Sequence, residues 1–249
     1  MCLEIFVSVQ TEAEARLACR YPCIVDVKNP RDGSLGAASL AQMHTIAALA
    51  RHAHHPLSLT LGNGPPWQTS DGYSVERVVG ELDVQYVKLG LAGVIEVCTY
   101  LELFDLLCDT VVRIRKLNRR VTIMLATFAD YHRCAAPAPP DLVELAAMCG
   151  ADGILVDTFE KKPNESLFTH LTWRELSQLR FRCAMHALRL ALAGNLRLGH
   201  VFLLRNIQPH YVGFRSALTR GGQRRSALDE HKLATLCCTV LAARQVVRA

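Results

Sequence analysis

Six lysines stand against twenty-two arginines in this 249-residue chain, and three of the six, Lys28, Lys88 and Lys161, fall at or just past the ends of hydrophobic runs. Arginine stays protonated and makes no nucleophile, whereas a lysine amine taken out of water loses its proton readily and can attack a carbonyl. Three such amines in one interior point to imine chemistry. Any one of them alone reads as well as a surface residue with a snorkelling stem. The second run reads IVDVKNPRDGSLGA, where the period of a strand puts Asp26 and Lys28 on one face, opposite Val25 and Val27. Asp157 ends another run, with Lys161 one short loop later. A buried aspartate holds one lysine charged, while repulsion between ammonium groups lowers the pKa of another and leaves a free amine. The plainer reading of Asp26 and Lys28 is a buried ion pair, which without a use would cost desolvation energy.

Such residues need a scaffold that brings strand ends together. Short runs rich in branched aliphatics cover residues 3–9, 23–27, 57–61, 84–89, 121–126, 153–156, 188–193 and 211–214, with helical-length segments between them. Near-continuous apolar strands alternating with amphipathic helices indicate a parallel sheet covered on both faces. Eight such units in about 250 residues fit a single closed (β/α)8 TIM barrel, an α/β fold, here expected as one domain over residues 1–249. Lys28, Lys88 and Lys161 would then belong to units two, four and six, at the carboxyl ends of the strands where such barrels keep their pockets. Thr11 with Glu14, and Thr172 with Glu175, read as capping boxes. Leu176, Leu179 and Met185 follow the second box, and Leu233, Leu236, Val240 and Leu241 form the stripe of the last helix.

Phosphate-binding features come after runs seven and eight, where this fold usually keeps them. Gly194 and Asn195 follow the seventh run, and GFRSALTRGGQRR follows the eighth, offering Arg215, Gly221, Gly222 and Arg224. Glycine admits close backbone approach and arginine a bidentate fork. The phosphate set read from the sequence is Gly194, Asn195, Arg215, Gly221 and Gly222. Asn29 to Gly36 reads as a further anion-binding turn or a mobile lid, and the sequence does not choose.

Composition excludes several alternatives. A net charge of +5 without a concentrated basic surface favours small anions over nucleic acid. The densest basic run, residues 113–120, reads as the solvated end of a helix. Ten scattered cysteines without a secretory signal fit a reducing cytoplasm. His52, His54 and His55 read as a solvated turn before Pro56 instead of a metal site. Glu96, Glu102 and Asp105 interrupt the longest apolar stretch, residues 89–108, which argues against a membrane span. The Leu and Ala of the last helix permit, without requiring, a homo-oligomer through the outer helices.

The motifs DVKNPRDGSLGA at 26–37, YVKLGL at 86–91, VDTFEK at 156–161 and ALAGN at 191–195 arrive in an order and spacing that resembles the (5-formylfuran-3-yl)methyl phosphate synthase family of methanofuran biosynthesis. The resemblance covers nearly the whole chain. It implies a (β/α)8 lyase that condenses two molecules of the triose phosphate glyceraldehyde 3-phosphate into a furan aldehyde phosphate, with loss of phosphate and water, for a methanofuran-type one-carbon carrier. It also implies that Lys28 is the Schiff-base lysine and Lys88 the proton acceptor, with Asp26, Asp157 and Lys161 in the same pocket and no metal or organic cofactor. Lys162 is adjacent to Lys161, and a one-residue shift would exchange them. The final glycine loop reads RGGQR here, where the resemblance leads one to expect a lysine before the GG pair. Two rival readings keep the barrel: another Schiff-base phosphosugar aldolase, and a catalytically silent scaffold.

Overall fold

The apolar runs become eight parallel strands: β1 (Glu4–Val9), β2 (Ile24–Val27), β3 (Leu57–Asn63), β4 (Tyr86–Gly90), β5 (Thr122–Phe128), β6 (Gly153–Asp157), β7 (Arg189–Leu192) and β8 (Tyr211–Phe214). Each pairs with the next, and β1 closes onto β8 with Glu4 opposite Tyr211 and Val7 opposite Phe214. This computed structural model describes residues 3–245, with side chains through residue 240, so Leu241 of the expected last stripe lies outside the described side chains. The helices between and after the strands are α1 (Glu12–Ala18), α2 (Leu40–His52), α3 (Val75–Glu81), α4 (Val94–Val97), α5 (Tyr100–Leu117), α6 (Pro139–Cys149), α7 (Leu167–His170), α8 (Trp173–Met185), α9 (Val201–Ile207) and α10 (Glu230–Gln245).

Strand alternation divides the apolar residues into two cores. Val7, Val25, Val27, Leu59 and Val87 point outward and pack with Met43, Ile46, Leu107 and Ile114 of the helices. Phe6, Ile24, Met124, Phe128, Leu155 and Tyr211 form a separate cluster that fills the lumen. At the amino end of the strands, the rings of Phe6, Tyr86 and Tyr211 contact one another with centroids 5.1 to 5.5 Å apart. Arg189 donates to the Tyr211 hydroxyl at 3.0 Å beneath them. Polar residues enter the lumen above this aromatic floor.

The local signals act largely as the sequence reads. Thr172 and Glu175 form a complete capping box at α8, and Thr99 with Glu102 forms another at α5. Pro139 and Pro140 of the AAPAPP segment open α6, where missing N–H groups cost nothing. The Thr11 box is only half made. Thr11 accepts from the Glu14 N–H at 3.2 Å, but the Glu14 carboxylate turns to Gln10 N and to Arg215. Leu176 and Leu179 are buried, whereas Met185 is exposed. His54 has φ of 56° and the His55 Nδ1 lies 3.0 Å from the Cys23 carbonyl, placing both in a turn after α2. The described cysteines are free thiols, and no described helix is long and apolar enough to cross a membrane.

Candidate active site

Asp26 sits in the lumen with three donors around it. Ser58 donates to Oδ1 at 2.8 Å, Ser8 to Oδ2 at 3.1 Å, and the Lys88 ammonium to Oδ1 at 2.6 Å. Burial alone would raise the Asp26 carboxyl. The charges of Lys88 and then Lys28, with the hydrogen bonds from Lys88 and Ser58, hold it below the ordinary carboxylate range. Burial lowers Lys88, while Asp26 opposes that shift. Lys88 Nζ also lies 3.6 Å from the Phe6 ring centroid, so the aromatic floor carries the ammonium from below.

The ion pair therefore joins Asp26 to Lys88 and leaves Lys28 out. Lys28 is buried, and among the described residues its amine makes none of the side-chain hydrogen bonds or ion pairs that hold Lys88 and Lys161. Its pKa is lowered to about 7, first by desolvation, with Arg224 and Lys161 adding repulsion against the pull of Asp26 and Asp157. Of the two causes the sequence names, removal from water and repulsion between ammonium groups, burial is the larger.

Asp157, at the end of β6, accepts from Lys161 Nζ and from the Thr158 N–H at 2.8 Å. Burial raises its carboxyl, but Lys161 and then Lys28 bring it below the usual range. Lys161 also donates to Thr158 Oγ1 at 3.1 Å and lines the inner pocket with Lys28 and Asp157, whereas Lys162 pairs with Glu160 at 2.8 Å and borders only the outer cleft. The loop that carries Lys161 is pinned by Asp130, fully buried beyond β5, whose two oxygens accept from the Phe159 and Glu160 N–H groups at 2.6 and 3.0 Å. A lone Asp beyond a strand gives no sequence signal for that role.

The expected phosphate set divides. Arg215 is not available to an anion. Its Nη1 and Nη2 bind the Glu14 carboxylate at 2.6 and 3.0 Å, and its remaining donors reach the carbonyls of Ser8, Arg224 and Ser226. All five guanidinium donors are thus taken up by the protein. The Asn195 side chain donates to the Glu165 carbonyl at 2.8 Å and holds the β6 loop, and the Gly222 N–H donates to Thr219 O at 3.2 Å. All five border the mouth all the same: Gly194, Asn195 and Arg215 the inner pocket, and Asn195, Gly221 and Gly222 the outer cleft. A further arginine at this mouth is Arg224, which is close enough to Asp157, Lys28 and Lys161 to shift or be shifted by each. Its Nη2 donates to the Gly33 carbonyl at 2.7 Å, tying the last loop to the segment after β2. That segment is an ordered turn: Asn29 N–H donates to Gly36 O at 2.8 Å, and Leu35 is buried in the lumen cluster. A Cβ on Gly36 would lie 2.2 Å from the Asn29 carbonyl, so only glycine closes it. Outside these residues a cleft of about 680 Å³ opens, lined by Lys161, Asn195, Arg197, Gly221, Arg224 and Lys232 among others.

Gly194 allows a direct test of this mouth. Its φ is 102°, and an added Cβ would stand 2.9 Å from Thr158 Cγ2, beside Asp157 and Lys161. Gly194→Ala is expected to cost about 1–3 kcal/mol of stability and to displace the Thr158 loop. Denaturant unfolding measures the cost, and the structure of the variant the displacement.

A closed parallel barrel that gathers lysines, carboxylates and an arginine at the carboxyl ends of its strands defines a (β/α)8 protein of the enzyme-bearing class. A family model described as 4-HFC-P synthase matches residues 5–237, and the chain belongs to that family. The chain is 31% identical over 234 residues to a (5-formylfuran-3-yl)methyl phosphate synthase of Archaeoglobus fulgidus, a match covering 93% of this chain and 96% of the relative. To the protein of the same name from Methanothermobacter thermautotrophicus it is 33% identical over 203 residues, covering 81% and 82%. Among solved structures, 3-hexulose-6-phosphate synthase from Salmonella typhimurium superposes with a TM-score of 0.62 over 97% of this chain and 100% of that one. At 14% identity that likeness concerns the fold alone.

Proposed function

We propose that this chain is a (5-formylfuran-3-yl)methyl phosphate synthase that joins two molecules of glyceraldehyde 3-phosphate through a Schiff base on Lys28. One observation carries the reading: in a chain of this family, the Lys28 amine is buried, lies outside the ion pairs around it and has its pKa lowered to about 7. Lys28 attacks the aldehyde carbon of the first triose, and loss of water leaves an iminium that acidifies the adjacent C–H. Once Lys88 has given up the proton it holds against Asp26, a loss that burial favours, its amine takes that proton. Burial favours its amine form, and the Asp26 carboxylate stabilises the ammonium that results. Carbon–carbon bond formation to the aldehyde of the second triose and expulsion of one phosphate both follow from that enamine. Further loss of water closes and aromatises the furan, and hydrolysis of the imine returns Lys28.

Lys161, bonded to Asp157, is the proton donor suited to the departing oxygens, because it stands at the mouth instead of the lumen floor. Arg224 and Lys161 supply the positive charge for the phosphates, in a cleft whose wall includes Gly194 and Gly221. The product would feed a methanofuran-type one-carbon carrier.

The test is direct. Purified protein incubated with glyceraldehyde 3-phosphate should give a furan aldehyde phosphate by mass spectrometry and, with borohydride, a lysine adduct. An adduct without furan would indicate a different phosphosugar aldolase, and the absence of both signals would refute the reading. The amine pKa adds a pH signature. Below about 7 Lys28 is an ammonium and cannot attack, so the rate of borohydride trapping should rise about tenfold per pH unit on the acid side and level off above about 7. A profile still climbing through pH 9 would place the amine near its ordinary value and contradict the argument.

A further inference from the structure

Ser34 Oγ, Thr60 Oγ1, Asn63 Oδ1 and His170 Nε2 are the buried side-chain atoms that find no hydrogen-bond partner among the described residues. Thr60 stands in the middle of β3 and Asn63 at its end, and a Cβ on Gly33, next to Ser34, would be 3.6 Å from Asn63 Nδ2. Ser34 and Thr60 are completely buried. A buried hydroxyl without a partner costs free energy, so a protein that keeps one inside its barrel has a use for it.

Thr60 is the one placed among the reacting groups. Ser58 points into the lumen, since it donates to Asp26, and two residues on along the strand Thr60 points the same way. In the ladder Thr60 is opposite Lys88 of β4. On its other side the β2–β3 register pairs Asp26 with Ser58 and Val27 with Leu59, so the next step brings Lys28 beside Thr60. The hydroxyl thus stands between the amine that would hold the substrate and the amine that would take its proton.

We infer that Thr60 is a substrate-positioning residue whose hydroxyl binds the α-hydroxyl of the aldehyde held on Lys28, turning the neighbouring C–H toward Lys88. The assignment rests on the Schiff-base reading above. With the aldehyde carbon bonded to Lys28 and its α-hydrogen facing Lys88, the α-hydroxyl is the substituent left to face the strand between them. Hydrogen bonding at that position selects α-hydroxyaldehydes over aldehydes that lack the hydroxyl. No proton or electron is transferred to Thr60 itself.

Thr60→Val keeps the shape and removes the hydroxyl. Because that hydroxyl has no protein partner, the variant should melt at or above the wild-type temperature. It should still form the borohydride adduct with glyceraldehyde 3-phosphate, while kcat for furan phosphate falls about 10- to 100-fold. Thr60→Ser should recover most of the loss, and Thr60→Ala should repeat it if the valine variant does not fold. Furan formation by T60V at wild-type kcat and KM would overturn the inference. So would loss of the adduct together with the furan in folded T60V, since the hydroxyl would then serve amine attack and not positioning. A wild type that gives neither adduct nor furan overturns the Schiff-base reading itself, a result separable from any behaviour of the variants.

Discussion

Lys28→Ala should abolish both the borohydride adduct and the furan phosphate, lowering turnover of glyceraldehyde 3-phosphate by about 10³-fold or more while the protein stays folded. Folding should survive because the Lys28 amine is bound in none of the ion pairs around it, and its removal relieves a desolvation cost. The same truncation at Lys88 would strand the buried Asp26 carboxylate and confound chemistry with stability, so Lys28 is the cleaner position. Intact-mass analysis and product detection on one sample read both effects. Retention of the adduct in Lys28→Ala would move the nucleophile to Lys88 or Lys161.

Arg215→Met should cost about 3–5 kcal/mol of folding stability, since it leaves Glu14 buried and unpaired and frees the carbonyls of Ser8, Arg224 and Ser226. For a chain of this size that corresponds to a fall in Tm on the order of 10 °C. A phosphate ligand at the mouth would behave in the opposite way, raising KM with little change in Tm. Calorimetry together with KM therefore decides between the two roles, and an unchanged Tm would reject the structural one.

These positions mark how far the sequence could be read. Buried parallel strands need apolar residues on both faces, so each appears as a continuous run, and the boundaries read from residues 3–9 through 211–214 fall within two residues of those observed. Strand alternation likewise carries Asp26 into the lumen, where Lys88 meets it from the middle of β4, and strand-end position carries Lys28 and Asp157 to the pocket. Pairing between distant segments leaves no local trace. Glu14 reads as a capping residue because its partner, Arg215, lies 201 positions away. Arg215 and Arg224 flank the same glycine pair and look alike in sequence; both line the pocket, and only the ion pair to Glu14 of α1 takes up the guanidinium of Arg215. The choice between Lys161 and Lys162 depends in the same way on Asp130, which anchors the loop from another strand.

The triangle of Phe6, Tyr86 and Tyr211 has a consequence for traffic. With the lumen plugged at that end, the barrel is a cul-de-sac. Under the proposed reaction, a released phosphate must go out past Lys161 and Arg224, the same groups that receive the phosphate of the next triose. Arrival and departure then compete for one doorway, and the pace of turnover depends on clearing it as well as on making bonds.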